Sequence, residues 1–218
     1  RRYTESNPLY GELYAQYINA EGDLLWDEDK LVSGEVIIAV GTPQNMCSDR
    51  QGGVYVTWYE DGSSGDKEYY GTHLKADGSM VGPVVLIETE NNSGHYGSVS
   101  LESAGGGDAV IAWTEQNSSD SGNIYAQRIR ANYDSNSIDK LWNSQNPLEV
   151  CNSEGNQIRP KVTYFSDEYV VVVWEDWPDQ SPSGIGGNFI SQSGVLQFSS
   201  DGDADLIYML NSPSSSYP

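Results

Sequence analysis

Residues 52–74 of this 218-residue chain read GGVYVTWYEDGSSGDKEYYGTHL, and the phrase returns as GGDAVIAWTEQNSSDSGNIYAQRIR at 106–130 and as DEYVVVVWEDWPDQSPSGIGGNFISQSG at 167–194. Each copy is an apolar strand ending in Trp, an acidic Ser/Gly/Asp loop and a Tyr-centred or Phe-centred strand. LYAQYINAEGDLLW at 13–26 reads as the second half of an earlier copy. Three markers keep step. Trp58, Trp113 and Trp174 are 55 and 61 residues apart, and Tyr14, Tyr70, Tyr125 and Phe189 are 56, 55 and 64 apart. Trp26, Gly82, Trp142 and Phe198 follow at 56, 60 and 56. Internal repetition at this period sets the architecture before any single residue is interpreted.

Within one copy the pattern predicts four short strands, near 43–48, 54–58, 68–74 and 84–88. Asp49-Arg50-Gln51-Gly52-Gly53 supplies hairpin chemistry between the first two, and Ala76-Asp77-Gly78 turns into the fourth. No stretch sustains an apolar period of 3.6 residues over three turns, so helix is not expected. The second strand shows how the sheets are covered. A strand with one wet face alternates apolar and polar residues, yet Val170-Val171-Val172-Val173-Trp174 and Ala109-Val110-Ile111-Ala112-Trp113 are almost continuously apolar. Both faces are expected to be buried, with Trp58, Trp113 and Trp174 lying between neighbouring sheets. Radially packed four-stranded antiparallel sheets satisfy this, which makes the expected fold an all-β propeller with a repeat length suited to one blade.

The segments NIYAQRIRANYDSNSIDKLWNSQNPLEVCNSEGNQIRPKV at 123–162 and VVVVWEDW at 170–177 resemble a family of secreted bacterial β-propeller repeats. That family is built on Trp-x-Asp, a Gly/Asn-rich loop, Ile-Tyr-Ala-Gln-Arg, Gly-x-x-x-Trp, then Cys and Gly-Asn-Gln-x-x-Pro. The resemblance runs from about 13 to 198. It implies an extracellular or cell-surface location and the propeller fold, and it brings no catalytic residues with it. The copy around Tyr70 departs from the pattern, with Gly71-Thr72-His73 for Ala-Gln-Arg and Gly82 for the fourth-strand Trp. The last copy has Phe189 for Tyr and a longer loop.

The expected plan is a partial blade over 1–35 holding third and fourth strands, blades over 36–90 and 91–154, a partial or divergent blade over 155–198, and an acidic Ser/Pro-rich tail over 199–218. That makes about three to four blades, an incomplete propeller by the usual range. Open end blades would leave apolar faces and strand edges in water. The partners expected are therefore further blades of a longer polypeptide or other protein chains.

Thirty-two acidic against 11 basic residues give a formal charge of −21, with 37% apolar content. A phosphate-binding surface needs a basic face, so composition argues against nucleic acid and against anionic membrane surfaces. No apolar run reaches spanning length, so no membrane insertion is expected. Cys47 falls on a first strand and Cys151 at the end of a fourth, which favours two buried thiols over a disulfide.

The strongest polar recurrence is the carboxylate two residues after each repeat Trp: Glu60, Glu115 and Asp176, with Asp61, Asp66 and Asp120 close by. Two readings stay open. Oxygen-rich loops of this kind are candidate Ca²⁺ ligands, or the side chains cap their hairpins through backbone N–H groups. Ser118-Ser119-Asp120-Ser121-Gly122 resembles the Asp-box turn of sialidase-like propellers. A sialidase, however, needs clustered arginines, and Arg50, Arg128, Arg130 and Arg159 occupy different strand positions. Of the two histidines, His73 is expected on a third strand facing solvent. No spaced zinc set and no Gly-x-Ser-x-Gly elbow is present, and acids are too numerous for sequence to pick out a hydrolytic pair. Fifteen Tyr against three Phe suit either carbohydrate stacking or packing between blades.

These readings converge on a non-catalytic extracellular or cell-surface module for binding, display or assembly. The alternatives are a fragment of an extracellular glycan-active enzyme, or a structural subunit of a surface layer or filament.

Overall fold

The computed structural model describes residues 2–4, 7–26, 30–31, 42–61, 67–87, 99–118, 121–143, 146–177 and 184–198. Among them the chain is all-β and contains no helix. The strands are β1 (Arg2–Thr4), β2 (Asn7–Glu12), β3 (Tyr14–Ala15), β4 (Lys30–Leu31), β5 (Thr42–Ser48), β6 (Val54–Asp61), β7 (Lys67–Leu74), β8 (Met80–Ile87), β9 (Ser100–Gly105), β10 (Asp108–Ser118), β11 (Ser121–Asn132), β12 (Ser137–Lys140), β13 (Leu148–Cys151), β14 (Asn156–Tyr164), β15 (Tyr169–Trp177) and β16 (Gly184–Ser191).

The strands β5-β6-β7-β8 form a four-stranded antiparallel meander. Its first turn follows the chemistry of its residues: Asp49 Oδ1 accepts the N–H groups of Gln51 and Gly53, both at 2.7 Å, while Arg50 and Gly52 take φ of 60° and 92°. The next unit, β9-β10-β11, carries a fourth strand in two pieces, because β12 and β13 both pair with β11 on either side of residues 141–147. The third unit, β14-β15-β16, ends in an isolated bridge between Ile190 and Leu196. A single parallel bridge, Gly122 to Asn156, joins the second and third units into one hydrogen-bonded sheet. Among the described residues no sheet closes on itself.

The core explains the apolar second strands. Trp58 packs with Leu13, Trp26, Val56 and Leu74. Trp113 sits with Ala109, Ile111, Tyr55, Val81 and Leu86, and Trp174 with Val170, Val172, Val110, Ala112 and Val150. Each indole is turned onto the preceding unit and is 0, 3 and 4% exposed in chain order. Odd residues of β10 thus face back and even residues face forward, so one strand feeds two cores. Trp58 stacks on Tyr70 at 15° and Trp113 on Tyr125 at 26°.

The third copy corrects the alignment. Strand pairing sets Trp58 opposite Tyr70 and Trp113 opposite Tyr125, but Trp174 stands opposite Gly186, three residues before Phe189. A Cβ at Gly186 would run into the Trp174 indole, so here the ring takes the space its stacking partner fills elsewhere. Phe189 belongs instead to an edge-on aromatic group with Phe165, Tyr169 and Phe198. Cys47 and Cys151 are free, buried thiols. Burial pushes Cys47 up to about 12, with Glu102 and Asp49 adding to it, and burial also raises Cys151.

Candidate functional site

The first two units meet in a polar cavity of about 500 Å³ whose lining includes Asp49, His73, Lys75, Arg130 and Tyr133. Its walls are turns and strand ends: the β5–β6 hairpin, the end of β7, and the Gly106-Gly107 turn and the Tyr133 segment of the following unit. His73 is 4% exposed, which overturns the expectation that it faces solvent. The reason is its set of partners. Nε2 lies 3.0 Å from Asp49 Oδ2 and Nδ1 lies 2.8 Å from the Tyr133 hydroxyl, and the ring packs 4.4 Å from that of Tyr55. Burial works against ionisation of Asp49, but the Gln51 and Gly53 N–H groups and His73 outweigh it, and the carboxyl stays below its ordinary range. An ionised Asp49 only accepts, so Nε2 carries the imidazole proton and Nδ1 accepts from Tyr133.

Burial lowers the His73 pKa, and the nearby Asp49 only partly offsets this. Burial likewise pushes Tyr133 up to about 12, with Asp77 and Asp49 contributing. The Tyr133 ring face carries Lys75 Nζ at 3.6 Å from its centroid. Tyr55 completes the seam. Its hydroxyl donates to the Gly107 carbonyl and accepts the Ala131 N–H, each at 2.9 Å. This row holds an imidazole neutral and a phenol protonated, with every ring nitrogen engaged. Its chemistry is that of a hydrogen-bonded latch.

A larger cleft of about 820 Å³ lies on the other side of the same meander, lined by Leu13, Tyr17, Trp26, Met46, Val56 and Leu74 among others. Met46 is 69% and Tyr17 40% exposed at its rim, while Trp26, Val56 and Leu74 are buried.

A repeated clamp went unnoticed in the sequence. Gln16 donates to the Trp26 carbonyl and accepts the Trp26 N–H, both at 3.3 Å. Gln127 accepts the Trp142 N–H at 3.1 Å and donates to the Asn143 carbonyl at 2.8 Å. Asn188 does the same with Phe198, at 3.2 and 3.0 Å. In the copy that has Gly82, Thr72 replaces the amide and its hydroxyl donates to the Val81 carbonyl at 2.6 Å. Thr72, Gln127 and Asn188 each lie two positions after the residue facing the repeat Trp, and Gln16 lies two after Tyr14. The signal was available: Gln16 to Trp26, Thr72 to Gly82 and Asn188 to Phe198 are all ten residues apart. The marker indoles also reach the next unit, as Trp26 Nε1 donates to the Ala76 carbonyl at 2.8 Å and Trp142 Nε1 to the Gln192 carbonyl at 3.1 Å.

Of the post-Trp carboxylates and their acidic neighbours, only Glu115 and Asp176 have described side chains. Asp66 and Asp120 lie outside the described residues, as do the side chains of Glu60 and Asp61. Glu115 is half-buried on β10, and Asp176 on β15 accepts Gln157 Nε2 at 3.1 Å. Among the described residues no three His, Cys, Asp or Glu side chains gather as a metal set. Of the arginines, Arg128 and Arg130 share the fully buried Asp108, at 2.6 and 2.5 Å. Arg50 lies 4.0 Å over the Tyr164 ring, and Arg159 pairs with Glu175 at 3.0 Å. No protein-family model matches the chain and no curated protein matches its sequence, so its chemistry has to be read from its own side chains.

Proposed function

We propose that the chain is a propeller-type repeat module, extracellular or on the cell surface, which binds, displays or assembles without catalysis. The observation that carries this reading is the commitment of polar groups at the polar cavity. Asp49 Oδ1 is tied to the Gln51 and Gly53 N–H groups of its own turn and Oδ2 to His73, and both nitrogens of His73 are engaged, which makes a rigid seam and leaves the imidazole without a free nitrogen to act as a general base. The propeller reading is supported by consecutive units that stack face to face, each turning one Trp onto the unit before. It is supported further by first strands that lie together, β5 against β9 and β9 against β14.

The surface for a partner is the cleft beneath Tyr17 and Met46, where an exposed aromatic ring over an apolar floor suits a sugar face or an apolar side chain of another protein. Further blades, other chains and carbohydrate are the partner classes. The test is binding of the full chain to a panel of polysaccharides, combined with its oligomeric state, for wild type and Tyr17→Ala. Binding or assembly that weakens about tenfold or more in Tyr17→Ala supports the reading, as expected for loss of a central aromatic contact. Release of reducing ends from any polysaccharide by the wild-type chain overturns it in favour of a glycan-active enzyme.

A further inference from the structure

One position of the first strand recurs in all three units with very different surroundings. Met46 stands opposite Val56, Leu101 opposite Ile111 and Val162 opposite Val172, each partner lying two residues before its repeat Trp. Leu101 and Val162 are both 7% exposed, whereas Met46 is 69% exposed. What covers the first two is known. Leu101 shares a core with Cys47 and Tyr55 of the first unit, and Val162 shares one with Ala104, Val110 and Ala112 of the second. In both cases the cover is the first and second strands of the unit before. On the Met46 side the packing partners are Leu13, Ala15 and Trp26. By the repeat these correspond to Ile124, Ala126 and Trp142, which belong to the third strand and to the marker after it. The cleft of about 820 Å³ therefore stands where the first two strands lie at the other seams.

Cover by a first strand also brings a hydrogen bond. Asn45 Nδ2 donates to the Val99 carbonyl at 2.7 Å, and Ser100 Oγ accepts the Val162 N–H at 3.1 Å. Asn45 and Ser100 hold the same register, each opposite the residue just before the repeat Trp. The cleft itself is lined for contact with protein. Among the described residues its lining holds one charged side chain, Lys75, and no carboxylate, in a chain with 32 acidic residues. Depletion of charge marks the core of a protein interface.

We infer that this cleft is a docking groove for a β-hairpin of another polypeptide, seated as the first and second strands of a preceding unit. Its first strand presents a small hydrogen-bonding residue toward the strand of Met46, as Asn45 and Ser100 do at the other seams. Its second strand turns apolar side chains onto Val54 and Val56, as Tyr55 and Val110 do on the units that follow them. Repeat units are held largely by their nearest neighbours, and the docked hairpin forms a third seam of a kind the chain already makes twice. The inference rests on the binding-module reading and commits its partner to protein.

The test uses the chain's own covering hairpin as probe, a synthetic peptide of residues 99–116, offered to the full chain both free and tethered through a flexible linker to Arg1. Tethering raises the effective concentration, so a weak intrinsic affinity does not hide docking. The readout is oxidation of Met46 by dilute peroxide, followed by peptide mass, because an exposed thioether oxidises and a covered one is protected. The hairpin is expected to slow Met46 oxidation about tenfold, and the same hairpin carrying Ala112→Asp is expected to give no protection. Binding of the labelled free peptide should weaken about tenfold or more in Met46→Glu, a substitution at an exposed site that leaves Tm nearly unchanged. Met46 oxidation that neither the free nor the tethered hairpin slows overturns the inference, and so does protection that the Ala112→Asp hairpin gives equally. A polysaccharide that protects Met46 where the hairpin does not overturns the hairpin while leaving the binding module standing. Protection by neither overturns the cleft as a partner surface altogether.

Discussion

The two described seams between full units are built on the same plan with different chemistry. His73 and Arg128 occupy equivalent positions, each three residues after the Tyr that faces the repeat Trp. Each is held by a buried aspartate of its own unit, Asp49 for His73 and Asp108 for Arg128. Each then crosses to the next unit, His73 to the Tyr133 hydroxyl at 2.8 Å and Arg128 Nη1 to the Gln192 carbonyl at 2.7 Å. The aspartates come from different places, one from a hairpin turn and one from the start of a second strand. What the repeat preserves is the bracket of acid, base and neighbour, while the residues that fill it change. The first seam has a base that can lose its charge, and the second has one that cannot.

The largest expected effect breaks the second bracket. Asp108 has no exposed surface and accepts from both Arg128 and Arg130. Asp108→Ala is expected to cost about 3–5 kcal/mol, because it leaves two guanidinium groups without their shared buried carboxylate. Chemical denaturation measures it, and a loss below about 1 kcal/mol would mean that the pair behaves as a surface ion pair.

The fold was legible where the repeat is written in large side chains. Trp58, Trp113 and Trp174 mark the second strands, and the two-sided apolar pattern of β10 gave the stacking of units. The third copy misled because Phe189 offers the eye an aromatic where strand pairing uses Gly186, and a glycine filled by a neighbour's indole leaves no mark in composition. The brackets were less legible. An isolated His on a strand of mixed pattern reads as solvent-facing, since its burial depends on Asp49 and Tyr133, 24 and 60 residues away. The amide clamp was readable as a ten-residue interval, but the second copy stretches it to fifteen, which hides the regularity.

A middle-sized effect sharpens the contrast between clamps. Gln127→Leu removes an acceptor for the Trp142 N–H and a donor for the Asn143 carbonyl, and is expected to cost about 1–3 kcal/mol. Thr72→Val removes one hydroxyl bond to Val81, and about 1 kcal/mol is expected. Urea midpoints at constant slope test both, and equal losses would show that the second bond of the amide adds nothing.

The smallest effect separates the seams by pH. Burial places the His73 pKa below its ordinary 6.5 in the folded chain. Between that lowered value and 6.5 the unfolded chain holds a proton that the folded chain does not, so stability rises with pH through this window and falls on acidification below 6.5. The slope cannot exceed about 1.4 kcal/mol per pH unit for one group. His73→Gln should flatten it, and Arg128→Gln should leave it in place. Asp49, held below its ordinary 3.8, adds a second loss only as pH falls below that value. Urea midpoints across this range for the three proteins decide the matter, and an unchanged slope in His73→Gln would remove the histidine from the account.

The split fourth strand of the second unit bears on how such chains can change. Pairing with β11 is interrupted between β12 and β13, and Gln127 grips the backbone there, at Trp142 and Asn143. A side-chain clamp does locally what a continuous ladder does elsewhere, so the interruption needs no ladder bonds of its own. Loop-closure entropy grows only slowly with added residues, which makes this position a natural port for grafts: a foreign epitope or a small folded domain inserted after Asn143, beyond the clamp, should leave both halves of the strand seated on β11.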